Sequence, residues 1–206
     1  DNFKPDFLVV LNNDIVIKQR DFEHQVFELY NKFRFHVLGP DIISLVDNLH
    51  QSPIDFSINS KKAILKEFLL LSVLLFLSYI NLDQKFVLFR NRKNINFSKI
   101  ERNFDFKENI KIHGAAIIFS KSYYDIFPEI FFNKTFMYME EDILYHRIKQ
   151  KCMKVIYSKN IVVFHKEDSA TNFAFKKETN KRRFIYKNTI KSLYEFLKAY
   201  NIVASN

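Results

Sequence analysis

Short apolar runs and helically spaced apolar residues follow one another from the start of the chain. Residues 7–11 form a short, partly β-branched apolar run closed by polar residues 12–14, which predicts a buried strand ending in a loop. Behind Asp21, which suits an N-cap, the apolar positions are Phe22, Val26, Leu29, Tyr30 and Phe33. Their helical spacing predicts a helix that packs back on the sheet.

A second predicted strand follows this helix and completes a β-α-β unit. It covers residues 35–38 and is ended by a turn at Gly39-Pro40. Further strands are predicted at residues 112–119, 153–157 and 161–164. Because β-α-β units place their strands in parallel, this order predicts an α/β fold with a mixed, mostly parallel sheet flanked by helices.

Residues 52–109 interrupt the alternation and are predicted to form a helical insertion. The insertion contains the run 68–80, whose 13 residues would be apolar on every side of a helix. The run is shorter than the roughly 20 residues that cross a bilayer. Two interpretations stay open: a buried core helix, or a membrane-contacting helix supported by the basic stretch 85–93.

The last third of the chain predicts two more helices. One should begin near Glu141, where apolar residues keep one helical face. That face is formed by Leu144, Tyr145, Ile148 and Cys152. The other is an amphipathic C-terminal helix over about residues 182–201. With 206 residues, 48% of them hydrophobic, and no internal repeat, we expect a single domain, 1–206.

Composition narrows the class of protein and its setting. Cys152 is the only cysteine, so no intrachain disulfide can form and a reducing, cytoplasmic setting is expected. The formal net charge of +9 predicts attraction to polyanions, such as nucleic acid, an anionic leaflet or phosphorylated substrates. The basic clusters at 85–93 and 176–187 carry no recognised nucleic-acid-binding pattern, so no nucleic-acid partner is expected.

A first candidate site is the loop Asn12-Asn13-Asp14 at the carboxyl end of the first strand. Open α/β sheets bind ligands at such strand ends. A carboxylate there can hold a hard divalent cation, which would neutralise a departing diphosphate. Asn and Asp also favour turns, because their side chains bond to nearby backbone. The tripeptide is therefore typical of a metal site and of a structural turn.

A second candidate site is the acidic cluster Glu140-Glu141-Asp142, which follows the aromatic segment 131–138. Crowded carboxylates raise one another's pKa, which suits a general base that takes a proton from a hydroxyl. Acidic residues in a first helical turn also interact favourably with the helix dipole. Both catalysis and helix stabilisation are consistent with this pattern.

Two weaker signals come from His113-Gly114-Ala115 and from His165. Small side chains at Gly114 and Ala115 allow either a ligand to lie against the backbone or a bulge with tight packing. His165 ends a predicted strand beside charged residues, so it can ligate a metal, contact phosphate or be merely structural.

Taken in order, these segments resemble inverting family 2 glycosyltransferases of the GT-A fold, especially bacterial capsule and surface-polysaccharide enzymes. The matching segments are Leu11-Asn12-Asn13-Asp14-Ile15, Leu38-Gly39-Pro40-Asp41-Ile42, His113-Gly114-Ala115, Thr135-Phe136-Met137-Tyr138-Met139-Glu140-Glu141-Asp142 and His165-Lys166-Glu167-Asp168-Ser169. The resemblance implies a partial GT-A catalytic domain that transfers a sugar from a nucleotide-diphosphate sugar to a glycan or lipid-linked acceptor. Peripheral contact with the inner face of the cell membrane is a further expectation.

The same resemblance implies a role for each matched residue. Asp14 corresponds to the last acid of the family's metal motif and Asn12 to its first, so Mg²⁺ or Mn²⁺ is the implied cofactor. Asp142 is the implied general base, with Glu141 supporting it. The implied substrate-binding residues are Asn12, Asn13, Gly114, Ala115 and His165. His165 is also an implied metal ligand.

Family members begin with a β-α-β half that holds the nucleotide, and nothing before Phe7 can supply it. The chain is therefore either part of a longer enzyme and inactive alone, or a remnant without the donor site. We expect the first. Two rival functions remain. One is a non-catalytic membrane-associated module that uses residues 68–80, and the other is a polyanion-binding domain.

Overall fold

The computed structural model describes residues 5–54, 58, 60–93, 104–166 and 177–201. The strands are β1 (Phe7–Leu11), β2 (Ile15–Val16), β3 (Val37–Ser44), β4 (Phe106–Glu108), β5 (Ala116–Ser120) and β6 (Val155–His165). The helices are α1 (Phe22–Phe33), α2 (Lys61–Tyr79), α3 (Asp83–Lys93), α4 (Lys121–Tyr124), α5 (Glu140–Gln150) and α6 (Glu178–Ala199). The described chain is therefore α/β, as the apolar pattern predicts.

The strands form one mixed sheet in the order β1-β5-β3-β6-β2, with β4 also paired to β6. β5 runs antiparallel to both β1 and β3, and β2 and β4 run antiparallel to β6. Among the described residues only β3 and β6 pair in parallel, so the prediction of a mostly parallel sheet is wrong. The two strands of the β-α-β unit, β1 and β3, do run in the same direction. They are not neighbours, because β5, which is later in the chain, lies between them.

Alternate residues of the central strands pack on opposite faces of the sheet, as the pleat requires. One face packs under α5, with a core that includes Val37, Ile117, Phe119, Leu144 and Ile148. The other face packs under α1, with a core that includes Val26, Leu29, Leu38, Ile118 and Ile156. The sheet is therefore flanked by helices on both faces.

β3 continues through Gly39 and Pro40, where the sequence predicts a turn. Gly39 is required there because a Cβ would overlap Cγ2 of Ile112. The register with β6 shifts between Pro40 and Asp41, and such irregularities are places where a strand accepts proline. The predicted turn is wrong, because the glycine serves close packing and not chain reversal.

β6 is also a single strand where two short strands are predicted. It runs unbroken for 11 residues. Pro40 pairs with Ser158 and Asp41 with Val162, so residues 159–161 form the extra length of the irregularity. The polar residues that predict a gap between two strands therefore lie in a bulge within one strand.

Helices α2, α3 and α6 form a separate helical layer. Ile64 of α2 shares a buried cluster with Leu193 and Phe196 of α6. Arg182 of α6 donates from Nε to Oδ2 of fully buried Asp83 on α3 at 2.8 Å. The predicted insertion thus packs with the C-terminal helix, which begins at Glu178, four residues before the predicted start.

The apolar run 68–80 lies mostly in α2 and is only partly buried. Leu74 is 5% exposed, whereas Leu69 and Phe76 are 55% and 68% exposed. In the parts of the chain that the structure describes, no helix combines the length and apolarity needed to cross a bilayer. The core-helix interpretation therefore holds for one side of α2, and its other side faces outward.

The apolar face predicted for α5 is confirmed for its first part. Leu144 and Ile148 are buried in the core. The helix ends at Gln150, and Cys152 follows with an exposed thiol and a positive φ of 50°. Cys152 falls outside the buried face because the helix has already ended there.

Candidate functional site

The loop after β1 is a tight turn that contacts the start of β5. The backbone N–H of Ile15 donates to the carbonyl oxygen of Asn12 at 3.2 Å, which closes the turn. The N–H of Asn12 donates to the carbonyl oxygen of Ala115 at 2.9 Å. Asn12 is therefore held beside Gly114 and Ala115, while Asn13 lies at the exposed tip.

The Asp14 carboxylate faces the imidazole of His165, the last residue of β6. Nε2 of His165 lies 3.2 Å from Oδ1 of Asp14, and Nδ1 lies 2.7 Å from Oε1 of Gln51. With an oxygen acceptor at Nδ1, the ring proton belongs on Nδ1. Nε2 therefore meets the carboxylate either as an imidazolium N–H or as a lone pair.

The buried Oδ1 atom of Asp14 has no hydrogen-bond partner, because its contact with His165 is close enough for an ion pair but not aligned as a hydrogen bond. Two electron-rich atoms this close are stabilised by a proton or by a metal ion between or beside them. The pair therefore fits part of a divalent-cation site.

The described part of the chain adds no cluster of further side-chain ligands to this pair. Within the described residues, no group of three or more His, Cys, Asp or Glu is placed to hold a metal ion. Mg²⁺ commonly uses one or two carboxylates together with substrate phosphates and water. Asp14 and His165 are thus compatible with a cation that arrives with a phosphorylated ligand.

An open cleft of about 360 Å³ lies where the end of β1, the start of β5 and the start of α5 meet. Its lining residues are Val10, Asn12, His113, Gly114, Ala115, Phe131, Met137, Tyr138, Glu140 and Glu141. The ring centres of His113 and His165 are 6.2 Å apart, so the Asp14–His165 pair adjoins the cleft. The volume lies within the range of small-molecule sites.

The backbone ahead of α5 is strained in a way that shapes this cleft. Met137, Tyr138 and Met139 have positive φ values of 57°, 68° and 75°. Non-glycine residues rarely adopt this region, and each costs about 1 kcal/mol or more. The Ser192 hydroxyl donates to the carbonyl oxygen of Met137 at 3.1 Å, and buried Met139 anchors the segment in the core. This strained turn presents Tyr138 and Glu140 to the cleft.

Glu141 is fixed against the glycine of His113-Gly114-Ala115. The N–H of Gly114 donates to Oε1 of Glu141 at 3.1 Å. A Cβ at position 114 would lie 2.7 Å from the same oxygen, so only glycine allows this contact without displacement. The structure thus gives a physical reason for Gly114: it receives a carboxylate at the cleft wall.

Glu140 and Tyr138 have shifted pKa values. Burial, and then the neighbouring charge of Glu141, raise the pKa of Glu140 above its ordinary 4.5. Burial, and then the charge of Glu140, raise the pKa of Tyr138, so its hydroxyl stays a proton donor at neutral pH. The cleft therefore holds a half-buried carboxyl group with an increased proton affinity.

Asp142 lies behind the cleft, in a buried ion pair. Its Oδ2 accepts from Nζ of Lys111 and its Oδ1 accepts from the N–H of Ile58, both at 2.8 Å. Asp142 and Lys111 are each 8% exposed. Of the three adjacent carboxylates, Glu140 and Glu141 line the cleft and Asp142 joins α5 to neighbouring chain segments.

Two residues that the sequence analysis did not identify contribute to the site: Lys111 and Gln51. Lys111 and Gln51 lie in irregular segments, and their partners are 31 and 114 positions away. No local pattern reports contacts at such separations. His113 also lines the cleft, and the sequence analysis names it beside Gly114 without giving it a role of its own.

A larger cavity of about 490 Å³ lies between β1 and α1, lined mainly by apolar residues such as Phe7, Val9, Phe22 and Phe27. It contains none of the candidate site residues. The smaller cleft is the better candidate site because polar groups from three separate elements converge there.

Comparison of the chain with protein-family models, with curated proteins and with solved structures gave no match.

Proposed function

We propose that this protein is an inverting glycosyltransferase, which transfers a sugar from a nucleotide-diphosphate sugar to a hydroxyl of a glycan or lipid-linked saccharide. The observation that carries the proposal is the convergence of Glu140 and Glu141 with Asn12 and Gly114 in one cleft, beside the Asp14–His165 pair. The ordered resemblance to family 2 glycosyltransferases supports it. GT-A remains the proposed form of the α/β fold.

Glu141 is the proposed general base in place of Asp142. A base needs a defined position near the acceptor hydroxyl before its pKa matters. The Gly114 N–H fixes Glu141 at the cleft wall, whereas both oxygens of Asp142 are already bonded to Lys111 and Ile58. Asp142 then acts as a positioning residue that holds the first turn of α5.

The proposed reaction is a direct displacement. Glu141 accepts the proton of the acceptor hydroxyl while that oxygen forms a bond to the anomeric carbon of the donor sugar. The bond from this carbon to the diphosphate breaks, and the nucleoside diphosphate leaves with the electron pair. The transition state resembles an oxocarbenium ion, as in other glycosyl displacements.

Asp14 and His165 are the proposed protein ligands of Mg²⁺ or Mn²⁺. When bound, the cation would supply charge neutralisation for the diphosphate. The Gly114-Ala115 backbone offers a wall without bulky side chains next to Asn12, where a sugar could approach closely. Tyr138 would offer a hydroxyl donor at the opposite side of the lining.

The first test is donor binding to the chain by ligand-observed NMR, with a panel of nucleotide-diphosphate sugars and Mg²⁺. We expect saturation transfer from at least one nucleotide sugar, and its loss in Asp14→Asn. Glu28→Gln is a charge-matched control, because Glu28 is exposed on α1 and outside the cleft lining. Because Asp14 and His165 would hold the cation and its diphosphate, weak binding does not need the nucleotide-binding half. If no nucleotide sugar binds at millimolar concentration while the protein is folded, the proposed function is wrong.

A further inference from the structure

The chain's positive charge is concentrated in one layer of the fold. Helices α2, α3 and α6 together contain 13 of the 32 Lys and Arg residues but only 4 of the 23 Asp and Glu residues. Their net charge of +9 equals that of the whole chain. The rest of the chain, taken together, has 19 basic and 19 acidic residues.

The same helical layer exposes a continuous apolar face. On α2, exposed large apolar side chains recur every three or four residues, which places them on one side of a helix. They are Leu65, Leu69, Val73, Phe76 and Ile80, with exposed fractions between 47% and 68%. We call these five residues the α2 stripe. Leu82, just before α3, and Phe86 and Leu88 within it are exposed as well.

Basic side chains border the α2 stripe. Lys62 and Lys66 precede and follow Leu65 within the same helical face, and both are exposed. Near the other end, the guanidinium of Arg183 lies 4.6 Å from the ring centre of exposed Tyr79, and Nζ of Lys187 lies 6.0 Å from it. Apolar side chains between cations are typical of surfaces that lie in the boundary region of a bilayer.

We propose that the α2 stripe and its basic border dock this protein on an anionic lipid bilayer. The large apolar side chains enter the boundary between headgroups and acyl chains, and the lysines and arginines contact anionic headgroups. Charge selects this partner over a second copy of the chain, because two such layers would each bring a net charge of +9 to one interface.

The docked layer is joined directly to the cleft. Ser192 of α6 bonds the carbonyl oxygen of Met137, which lines the cleft. Ile64 of α2 shares a buried cluster with Met139 and Ile143 at the start of α5. The cleft is therefore packed directly against the layer that would dock on the bilayer, where a lipid-linked acceptor would be held.

Flotation with phospholipid vesicles tests the docking. Wild-type protein should float with vesicles of phosphatidylcholine mixed with phosphatidylglycerol, and much less with phosphatidylcholine alone. Leu69→Glu and Phe76→Glu should each lower the partition coefficient about tenfold, because each removes the burial of one large apolar side chain. Val46→Glu and Leu49→Glu are matched controls, since both side chains are exposed in the loop after β3, outside the helical layer.

The proposal is overturned if wild-type protein does not float with the anionic vesicles, or if Leu69→Glu floats as well as Val46→Glu. It is also overturned if light scattering shows a lipid-free dimer that Leu69→Glu converts to monomer, because the stripe would then be a self-association surface. Circular dichroism melts confirm that each variant is folded. Docking does not require sugar transfer, so a failure of nucleotide-sugar binding would not contradict the docking proposal.

Discussion

At the residue scale, the adjacent carboxylates Glu141 and Asp142 have opposite environments, and their amide variants should fail in different ways. Glu141→Gln should keep the wild-type melting temperature and lose about 10²-fold or more in transfer rate, the usual contribution of a general base. Asp142→Asn should lower the free energy of unfolding by about 3 kcal/mol, because Lys111 would remain buried without its counter-charge.

Urea unfolding and turnover per folded molecule separate the two outcomes. An Asp142→Asn protein with wild-type stability and no turnover would return the base role to Asp142. A Glu141→Gln protein with full turnover would remove Glu141 from the mechanism.

Glu140 should make stability depend on pH in a direction set by its raised pKa. The folded state binds this proton more tightly than the unfolded chain does, so ionisation of Glu140 opposes folding. The cost is absent below the ordinary pKa of 4.5 and complete above the raised one. Glu140→Gln should therefore be more stable than wild type near neutral pH, and the difference should shrink as the pH falls through the raised pKa and be lost below 4.5.

Urea titrations of both proteins at several pH values measure this difference. A variant that is less stable than wild type near neutral pH would contradict it. Glu28→Gln, in which an exposed carboxyl is replaced, should show no such trend.

At the scale of single elements, β3 depends on the absence of a side chain at Gly39. Gly39→Ala should destabilise the fold by about 1–3 kcal/mol, because the new methyl overlaps Ile112 in a packed core. The double variant with Ile112→Ala should lose less than the sum of the two single losses. Additive losses in the urea-derived free energies would mean that the two side chains do not compete for this space.

The elements show which parts of the fold follow from local sequence and which do not. β1 and α1 have the bounds that apolar runs and spacing predict, because their patterns are local and uninterrupted. The order of the sheet could not be predicted, since β5 inserts between β1 and β3 through contacts about 80 to 110 residues apart. Gly39 led to a wrong turn prediction for a related reason, because its packing partner Ile112 lies 73 positions away along the chain.

The candidate site was predicted in part for the same reason. Asn12, Gly114 and Glu141 carry local signals and meet in the cleft. Of the acidic cluster, the sequence could not tell which carboxylate faces the cleft, because that depends on the strained turn at 137–139 and on Lys111. The partner of His165, Gln51, had no local signal.

At the scale of the whole molecule, a charged helical layer sits beside the rest of the chain, whose charges balance. Binding to any polyanion should therefore depend on where a charge is removed. Screening by ions limits the distance over which each charge attracts a polyanion to about 10 Å at ordinary salt. The triple variant Lys62→Glu, Lys66→Glu and Lys85→Glu should elute from heparin at clearly lower salt than wild type. The matched triple variant Lys18→Glu, Lys32→Glu and Lys121→Glu, outside the layer, should shift elution less.

Equal shifts for the two triple variants would mean that only the total charge matters. Both change the net charge by the same amount, so the comparison isolates position. All six lysines are exposed, so neither variant should disturb the core.

The single cysteine, Cys152, has an exposed thiol and is a site for attaching a spectroscopic label. A maleimide fluorophore or nitroxide would attach at one place only, without engineering away other cysteines. The label would sit just past the end of α5, whose 11 residues span about 16 Å, so it would leave the acidic opposite end of that helix untouched. Quenching by lipid-borne probes could then measure how high this end of the molecule stands above a bilayer.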